Sequence, residues 1–314
     1  MSNQNVLRGA LAVVAALVFS TAAQAQVFRA YLAPGPAGND ANPCTLLAPC
    51  RLLPAALAAV QNGGEIWMLD SANYNTSTVF ITKSVTILAV PGALGSVVAT
   101  GGSAIRIDTD GIVVSLRNLV IVPLPSAGAT DGVAMAGAST LIIDNSLIAN
   151  LPDIGVVVNG TGNATIVNSI IRNNDSGVWA QDGAQVVVSA SHVLENQNFG
   201  VFAFSNSSTT TKATVSDTTL SGNAFAVRAD AAVAGSDAQL FATRCTITKN
   251  TFGVVSATFN AAASSLVTIS ANMITNNSDT GLLSQALGKI KSLGNNHVAD
   301  NATDGAPTST ILLK

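Results

Sequence analysis

The sequence predicts an all-β protein in which short parallel strands wind into a solenoid of roughly nine coils. An aliphatic-x-x-Asn step recurs every 22–27 residues, and most of these asparagines are followed within five residues by a small and then an aliphatic residue. The stretches between them, such as ATIVNS and VVVSAS, alternate with the period of two that is typical of strands. A unit this short cannot bury its own apolar face, so we expect the units to stack and cover one another.

The asparagine of each step is predicted to be structural. Asparagine tolerates left-handed backbone conformations and its amide can bond nearby backbone groups, which suits a tight turn between strands. Stacked turns would place these amides one above another and form a ladder of side-chain hydrogen bonds. The predicted ladder residues are Asn150, Asn174, Asn196, Asn223, Asn250, Asn277 and Asn301.

The first 25 residues are predicted to be a secretory signal peptide. Arg8 supplies a positive charge, residues 9–19 form a short apolar run, and residues 23–25 read AQA, a small-residue cleavage site. The apolar run is too short for a membrane span, and no later segment is long enough. We therefore expect a secreted or periplasmic protein that is cleaved after Ala25 and does not insert into a membrane.

The mature chain, residues 26–314, is expected to form one domain. Residues 26–75 would be an N-terminal cap region, 76–305 the coils, and 306–314 a last strand or C-terminal cap. Within the cap region, residues 50–64 predict a short amphipathic helix that starts near Pro54 and is stopped by Gly63 and Gly64. Such a helix would cover the open edge of the first coil, as a solenoid cap must.

The cysteines fall into a close pair and a single residue. Cys44 and Cys50 are near neighbours in a chain that we expect to be exported, so the sequence predicts a disulfide between them. Cys245 falls on the inward parity of a predicted strand, which favours a buried, unreactive thiol over a nucleophile.

The charge of the chain argues against two classes of partner. The formal net charge is -3, and only 10% of the residues are charged. The scattered lysines and arginines provide neither a basic footprint for nucleic acid nor a polybasic segment for an anionic membrane. We expect no cofactor, and calcium is the one metal that the sequence leaves open.

The repeat resembles that of the right-handed parallel β-helix proteins of the pectin lyase-like superfamily. The similarity lies in the ΦxxN…GΦ coil, where Φ is an aliphatic residue, and in residues 38–74, which are similar to the N-terminal segment of many secreted bacterial members. It implies a right-handed parallel β-helix with a short N-terminal capping helix. It does not specify a reaction, because the superfamily includes lyases, hydrolases, epimerases, esterases and non-catalytic adhesins.

Three aspartates are the candidate catalytic residues. Superfamily hydrolases of polygalacturonate use aspartates near the start of strands on neighbouring coils, and Asp131, Asp153 and Asp175 stand at such positions. In register they would form a column in which close carboxylates push one pKa up, as a general acid requires. The D-D, G-H-G and R-I-K motifs of those hydrolases are missing, so the alternative of ordinary turn residues stays open.

Two further groups of charged residues could bind a metal. Superfamily lyases combine a basic residue with calcium, and Arg228 with Asp230 and Asp182 could imitate that arrangement. Asp108 and Asp110 alternate on one strand and could also ligate a cation. In both cases solvated surface charges are the alternative. His192 and His297 lie four or five coils apart and cannot share a site.

Strand parity predicts a substrate-binding patch on the outside of one sheet. In each strand that opens with a glycine or alanine, the residues after the first aliphatic position alternate between the outside and the core. On three neighbouring strands the outward residues are Trp179, Gln181, Phe202, Phe204, Arg228 and Asp230. Aromatic rings can stack on sugars, and the polar groups can bond hydroxyls. In the alternative interpretation, a loop at 205–212 or 231–239 folds over the aromatic side chains.

The sequence therefore predicts a secreted β-helix protein that binds a polysaccharide or cell-surface glycan and also acts on it if the aspartate column is catalytic. A non-catalytic structural or adhesive role, with the solenoid as a stiff rod, is the alternative that the sequence leaves open.

Overall fold

The computed structural model describes residues 26–311, which form three parallel β-sheets wound into a solenoid of about nine turns. This confirms the predicted all-β parallel fold. The predicted signal peptide, residues 1–25, lies outside the described residues, as do residues 312–314 of the predicted C-terminal element. None of the described helices is long and apolar enough to cross a membrane.

The solenoid consists of many short strands and one described helix. In chain order the elements are β1 (Val27–Leu32), α1 (Leu53–Ala59), β2 (Val60–Met68), β3 (Ala72–Asn73), β4 (Val79–Phe80), β5 (Val85–Ala89), β6 (Gly95–Ala99), β7 (Ile105–Ile107), β8 (Val113–Arg117), β9 (Leu119–Pro123), β10 (Val133–Ala136), β11 (Thr140–Asp144), β12 (Leu147–Ala149), β13 (Ile154–Asn159), β14 (Asn163–Val167), β15 (Ile170–Arg172), β16 (Ser176–Gln181), β17 (Gln185–Ser189), β18 (His192–Leu194), β19 (Phe199–Ser205), β20 (Thr210–Ser216), β21 (Thr219–Ser221), β22 (Phe225–Ala231), β23 (Asp237–Thr243), β24 (Thr246–Thr248), β25 (Phe252–Thr258), β26 (Ser264–Ser270), β27 (Met273–Thr275), β28 (Thr280–Ala286), β29 (Lys289–Ser292), β30 (His297–Ala299), β31 (Thr303–Gly305) and β32 (Ser309–Thr310).

Each coil contributes one strand to each sheet in turn. Sheet I has the order β1-β2-β5-β8-β11-β14-β17-β20-β23-β26-β29-β32, sheet II runs from β3 to β30, and sheet III from β4 to β31, in both cases through every third strand. Neighbouring strands pair in parallel and in register, so that Val156 lies beside Val178 and Val178 beside Val201. Equivalent positions of successive coils therefore form continuous rows along the solenoid.

The core consists of the inward rows of the three sheets. Val178, Val201 and Val227 are fully buried in sheet III, and Ile247 is fully buried in sheet II. Glycine before the first inward residue of a sheet III strand permits a close approach between coils. A Cβ built on Gly177 would lie only 2.6 Å from the carbonyl oxygen of Gly200 on the next coil. This explains the recurrent small residue in the repeat.

The N-terminal cap differs in one detail from its prediction. Helix α1 has a proline in its first turn as expected, but it ends at Ala59, and Gly63 and Gly64 lie inside β2. The chain becomes extended there because β2 pairs with β1 along the edge of sheet I, where a Cβ on Gly64 would meet the backbone of Phe28. The predicted disulfide between Cys44 and Cys50 is present beside this helix.

The asparagine ladder is confirmed from Asn174 to Asn301. In each step the Nδ2 of one asparagine donates to the Oδ1 of the next, at 2.7–3.0 Å. The predicted first member, Asn150, is outside the ladder: it is exposed with a φ of 63°, and the backbone N–H of Leu151 donates to Asn174 instead. In that coil Leu151, one residue after the asparagine of the aliphatic-x-x-Asn step, occupies the ladder position.

The single free cysteine among the described residues is Cys245, which is buried as predicted. Burial raises the pKa of its thiol to about 11, so the nucleophilic thiolate is scarcely populated at neutral pH.

Candidate functional site

The outer face of sheet III carries the residues that the sequence singles out for binding. On β16, β19 and β22, the side chains that alternate with the buried core project away from it in two parallel rows. Register pairing places Trp179 beside Phe202 and Phe202 beside Arg228 in one row. The second row contains Gln181, Phe204 and Asp230. All six predicted binding residues are thus on three adjacent strands.

The aromatic side chains of this face form one continuous group, which we name the aromatic strip. Phe252 stacks on Phe225 at 5.0 Å between ring centroids, and Phe225 stacks on Phe199 at 5.4 Å. Phe202 stacks between Phe199 and Phe204, at 4.3 and 5.5 Å. The strip consists of Trp179, Phe199, Phe202, Phe204, Phe225 and Phe252.

Three of these residues, Phe199, Phe225 and Phe252, were missed by the parity argument. They precede the small residue of the repeat, in the pairs Phe-Gly, Phe-Ala and Phe-Gly. Strict alternation backward from Phe202 would place Phe199 inside the core. The pairing between neighbouring strands of sheet III skips the residue after each of these phenylalanines. This irregularity lets Phe199 join Phe202 on the outer face. A phenylalanine at the same position of three successive coils was the available signal.

Phe202 is less accessible than the parity argument predicts. Although it points away from the core, only 4% of its surface is exposed. Stacked contacts with Phe199 and Phe204 cover it, and Trp179 lies 4.8 Å away in an edge-on arrangement. Phe202 is therefore a supporting residue within the strip rather than an open platform.

Trp179 has a different geometry from the phenylalanines. Its ring plane is turned by 66–83° from Phe199, Phe202 and Phe204, so it makes edge-to-face contacts and no stacked contact among the described residues. Its Nε1 is buried and has no hydrogen-bond partner. An unsatisfied buried donor is unusual and calls for an acceptor that the described residues do not supply.

Arg228 and Asp230 form a buried ion pair next to the strip. The Arg228 Nε donates to both carboxylate oxygens of Asp230 at 2.9 Å, and the side chains are only 12% and 6% exposed. The guanidinium lies 4.6 Å from the centroid of Phe225. Burial raises the pKa of Asp230, while the bond to Arg228 opposes that rise. The alternative of a solvated surface pair is wrong for these two residues.

The three candidate catalytic aspartates lie at the starts of adjacent strands of sheet III. Asp131 precedes β10, Asp153 precedes β13 and Asp175 precedes β16. Extending the pairing of Val133 with Val156 back by two residues aligns Asp131 with Ile154 rather than with Asp153, and the Ile154 N–H donates to Asp131 Oδ1. Partial desolvation raises the pKa of Asp153, and the charges of Asp131 and Asp175 raise it further.

The flanking aspartates are fixed by hydrogen bonds. Asp131 accepts from the hydroxyls of Ser103 and Thr130 at 3.0 and 3.1 Å. Asp175 accepts from Asn198 Nδ2 at 2.7 Å. The carboxylate of Asp153 accepts no hydrogen bond within the described part of the chain, and its raised pKa suits a proton donor.

In the arrangement that the sequence suggests for calcium, Asp182 bonds to a neighbouring turn while Arg228 bonds to Asp230. One Asp182 oxygen accepts from the Asn206 backbone N–H at 2.7 Å and from the Ser207 hydroxyl, and the other accepts from Gln181 Nε2. Asp182 thereby holds the turn after β19. Among residues 26–311, no group of three or more His, Cys, Asp or Glu side chains is placed to hold a metal ion.

The remaining candidates are also apart from one another. Asp108 pairs with Arg106 at 2.6 Å, whereas Asp110 accepts from the backbone N–H of Ala138. His192 and His297 are exposed at equivalent positions of sheet II, on β18 and β30, with three strands between them.

Comparisons with known proteins agree with the fold. A family described as "Right handed beta helix region" matches residues 103–261, which are 159 of the 314 residues. No curated protein sequence matches the chain significantly.

Several solved structures are similar. Pectate lyase Pel9A has a TM-score of 0.57 at 19% identity, over 90% of this chain and 79% of that one. An alginate lyase from Paenibacillus sp. str. FPU-7 has a TM-score of 0.61 at 14% identity, over 91% and 98%. Tailspike protein 2 of an Escherichia coli O157:H7 bacteriophage has a TM-score of 0.52 at 12% identity, over 83% and 38%. At these identities the likeness shows the fold alone.

The matched residues 103–261 span most of sheet III, including β7 to β25. They contain the three aspartates, the whole aromatic strip and the buried ion pair. On this match over half of its length, the chain belongs to the right-handed β-helix family.

Proposed function

We propose that the chain binds a polysaccharide on the outer face of sheet III, with the aromatic strip as the contact surface. The observation that carries this proposal is the half-buried indole of Trp179, which meets its phenylalanine neighbours edge-on and has no stacked neighbour among the described residues. A sugar offers an apolar ring face that can stack on the indole. The named activities of the structurally similar pectate and alginate lyases add support.

The polar neighbours of the strip would orient the sugar. Gln181 is half-buried on the same strand as Trp179, and Arg228 and Asp230 come two coils further along. An amide, a guanidinium and a carboxylate together provide donors and acceptors for hydroxyl groups. Phe199, Phe202 and Phe204 would hold the indole in place from below. This combination of an apolar platform and a few fixed polar groups is typical of a small-molecule or sugar site.

The proposal extends to cleavage of the bound glycan by Asp131, Asp153 and Asp175. Glycosidic hydrolysis needs one carboxylic acid that protonates the leaving oxygen and a carboxylate that assists water or the sugar carbon. The raised pKa of Asp153 suits the acid, and either hydrogen-bonded neighbour suits the base. Release of reducing ends that is lost in Asp153→Asn, while glycan binding remains, would support this assignment.

We also propose that the protein works outside the cytoplasm, secreted or in the periplasm. The disulfide between Cys44 and Cys50 supports this location, because such bonds persist in oxidising compartments. A polysaccharide or cell-surface glycan would be met there.

A glycan array with the purified chain tests the binding proposal, run with and without calcium. The decisive variant is Trp179→Ala, and the matched control is Trp67→Ala. Trp67 lies on sheet I, where its Nε1 donates to Glu65 at 3.0 Å and Arg29 lies 4.0 Å from its ring centroid. We expect Trp179→Ala to reduce affinity for the best glycan at least about tenfold, a loss equivalent to about 1.4 kcal/mol, and Trp67→Ala to leave it unchanged.

A structural or adhesive role is the second candidate, and one observation favours it. The phenylalanines of the strip stack mainly on one another, so much of their surface stabilises the solenoid itself. Binding to no glycan on the array, together with a clear loss of thermal stability in Trp179→Ala, would favour this role.

A further inference from the structure

The charges around the aromatic strip allow the ligand class to be narrowed. Resting on the binding function proposed above, we infer that the strip takes an uncharged glycan and that uronate-containing or sulfated polymers are disfavoured there. Three features support this inference: the arginines of sheet III are already neutralised, carboxylates flank the strip at one end, and the half-buried groups Trp179 and Gln181 are uncharged.

The arginines of sheet III have no charge to spare for an anionic ligand. Arg106 and Arg228 are the two cationic residues within the described strands of this sheet, and each pairs with the aspartate two positions further on. Arg228 directs its Nε to both oxygens of Asp230 and lays its guanidinium near Phe225. A carboxylated sugar would have to compete with an aspartate that is already desolvated and correctly oriented.

Two other cations belong to the corner between sheets II and III. Arg172 ends β15 in sheet II, and Lys249 lies in the turn before β25. Both are exposed to solvent, where a charge contributes little to affinity. Neither is part of the two outward rows that contain the strip.

Carboxylates flank the end of the strip that Trp179 occupies. Asp175 stands four residues before Trp179 on the same coil, and Asp153 and Asp131 lie on the two preceding coils, on the side of Trp179 away from the phenylalanines. The pKa of Asp153 is raised partly because the other two repel a further negative charge, and an anionic polymer in the same place would meet that field. Two like charges 4 Å apart repel by about 1 kcal/mol in water and more where water is displaced.

The binding groups that remain are suited to hydroxyls. The Gln181 amide, which donates to Asp182 at 3.2 Å, keeps its carbonyl oxygen as a neutral acceptor for a hydroxyl. The ring face of Trp179 favours the C–H surface of a sugar, which charge on the sugar does not improve. The surface is thus complementary to a neutral polymer.

Tryptophan fluorescence can report binding at this place alone. The chain has two tryptophans, so Trp67→Phe leaves Trp179 as the single indole. Phenylalanine preserves an aromatic ring beneath Arg29, which lies 4.0 Å from the Trp67 centroid. This variant would be titrated at low ionic strength with polygalacturonate and its methyl ester, with alginate and its propylene glycol ester, and with neutral xylan, mannan and glucan.

We expect each ester to bind at least about tenfold more tightly than the acidic polymer from which it is made. If neither ester binds, at least one of the neutral glycans should bind more tightly than polygalacturonate and alginate by the same factor. The ratio of the affinities for uncharged and acidic polymers should become smaller in 0.5 M salt, because salt screens charges beyond about 4 Å at that concentration. It should also become smaller in the double variant Asp153→Asn/Asp175→Asn, which removes two of the repelling carboxylates. Acidic polymers that bind as tightly as their esters, or more tightly, would overturn the inference and leave the binding function intact. Failure of every polymer to change the fluorescence of Trp179 would overturn the binding function as well.

Discussion

The asparagine ladder and the aromatic strip are both built from one residue per coil, yet they treat their polar groups in opposite ways. In the ladder, the amides of Asn223 and Asn250 are buried and each of their polar atoms is bonded. In the strip, the Nε1 donor of Trp179 is buried without a partner among the described residues. The buried ion pair of Arg228 and Asp230 lies next to the phenylalanines of the strip. The same repeat thus produces a ladder in which every amide is hydrogen-bonded and an outer strip in which one buried donor is not.

This difference indicates where the fold is self-sufficient and where it is not. A ladder in which every donor meets an acceptor stabilises the stack without an external group. A buried donor that stays unsatisfied costs free energy that the contacts of the strip must offset. Mutations should therefore affect the ladder through stability alone, and the strip through stability, pH dependence and the proposed glycan binding.

The largest expected effect is on the buried ion pair. Replacing Arg228 by Met would leave the Asp230 carboxylate buried without its partner, and we expect the free energy of unfolding at pH 7 to fall by about 3–5 kcal/mol. The matched control is Arg106→Met, which breaks the same Arg-x-Asp pair where both side chains are 45% exposed. That change should lower the free energy of unfolding by less than about 1 kcal/mol. Chemical denaturation measures both values.

The loss in Arg228→Met should depend on pH. Burial raises the pKa of Asp230 and Arg228 opposes this, so removal of Arg228 raises the pKa further. Because the folded state then binds a proton more readily than the unfolded state, stability falls as pH rises through the raised pKa. The variant should therefore recover part of its deficit as the pH is lowered toward 4. A deficit that is equal at pH 4 and pH 7, or equal to that of Arg106→Met, would contradict the buried pair.

The next effect is on the ladder. Asn250 Nδ2 donates to Leu220, Thr248 and Asn277, and its Oδ1 accepts from Asn223. Replacing Asn250 by Ala leaves buried partners unsatisfied, and we expect the free energy of unfolding to fall by about 1–3 kcal/mol.

The control for the ladder is Asn206→Ala, since Asn206 is exposed and its side chain makes no hydrogen bond within the described residues. Its melting temperature should stay close to that of the unmodified protein. The ladder amides from Asn174 to Asn277 bond to one another, to Asn301 and to backbone groups, none of which titrates, so the Asn250 deficit should be constant with pH. Equal melting temperatures for the two variants would refute the ladder as a source of stability.

Sequence patterns predicted the ladder well because each coil repeats one residue type at one place. They failed at Asn150, where the aliphatic-x-x-Asn step is present but the chain enters the ladder position one residue later, at Leu151. A one-residue shift changes which atom faces the neighbouring coil, and spacing alone does not reveal it. The helix end was misplaced for a related reason: pairing of β2 with β1 overrides the tendency of Gly63 and Gly64 to stop a helix.

The outer site was predicted in part. Alternation located Trp179, Phe202 and Phe204 on one face, because outward parity is a local property of a strand. It missed Phe199, since the irregularity at Gly200 reverses the alternation there. It also overestimated the exposure of Phe202 and the solvation of the Arg228 pair. Burial on an outer face depends on side chains from three neighbouring coils, which no single stretch of sequence contains.

The smallest expected effect is on the aspartates beside the strip, and it should have the opposite sign. The folded protein raises the pKa of Asp153, so the ionised carboxylate opposes folding, and stability is lost as pH rises through the raised pKa. Replacing Asp153 by Asn removes this loss. Because the position is solvated, we expect a gain of only about 0.3 kcal/mol in the free energy of unfolding at pH 7, and none at pH 3.

Asp217→Asn provides the control of opposite sign for Asp153→Asn. Arg244 bonds both oxygens of Asp217 at 2.7 Å and lowers the pKa of that carboxyl, so the ionised form favours folding and its removal should destabilise the protein at neutral pH. Denaturation of both variants and of the unmodified protein should be measured between pH 3 and pH 7. As the pH rises, we expect the free energy of unfolding to rise relative to the unmodified protein in Asp153→Asn and to fall in Asp217→Asn. If Asp153→Asn also destabilised the protein at pH 7, Asp153 would be held by favourable contacts, and both its role as a proton donor and the repulsion of anionic glycans would lose their support.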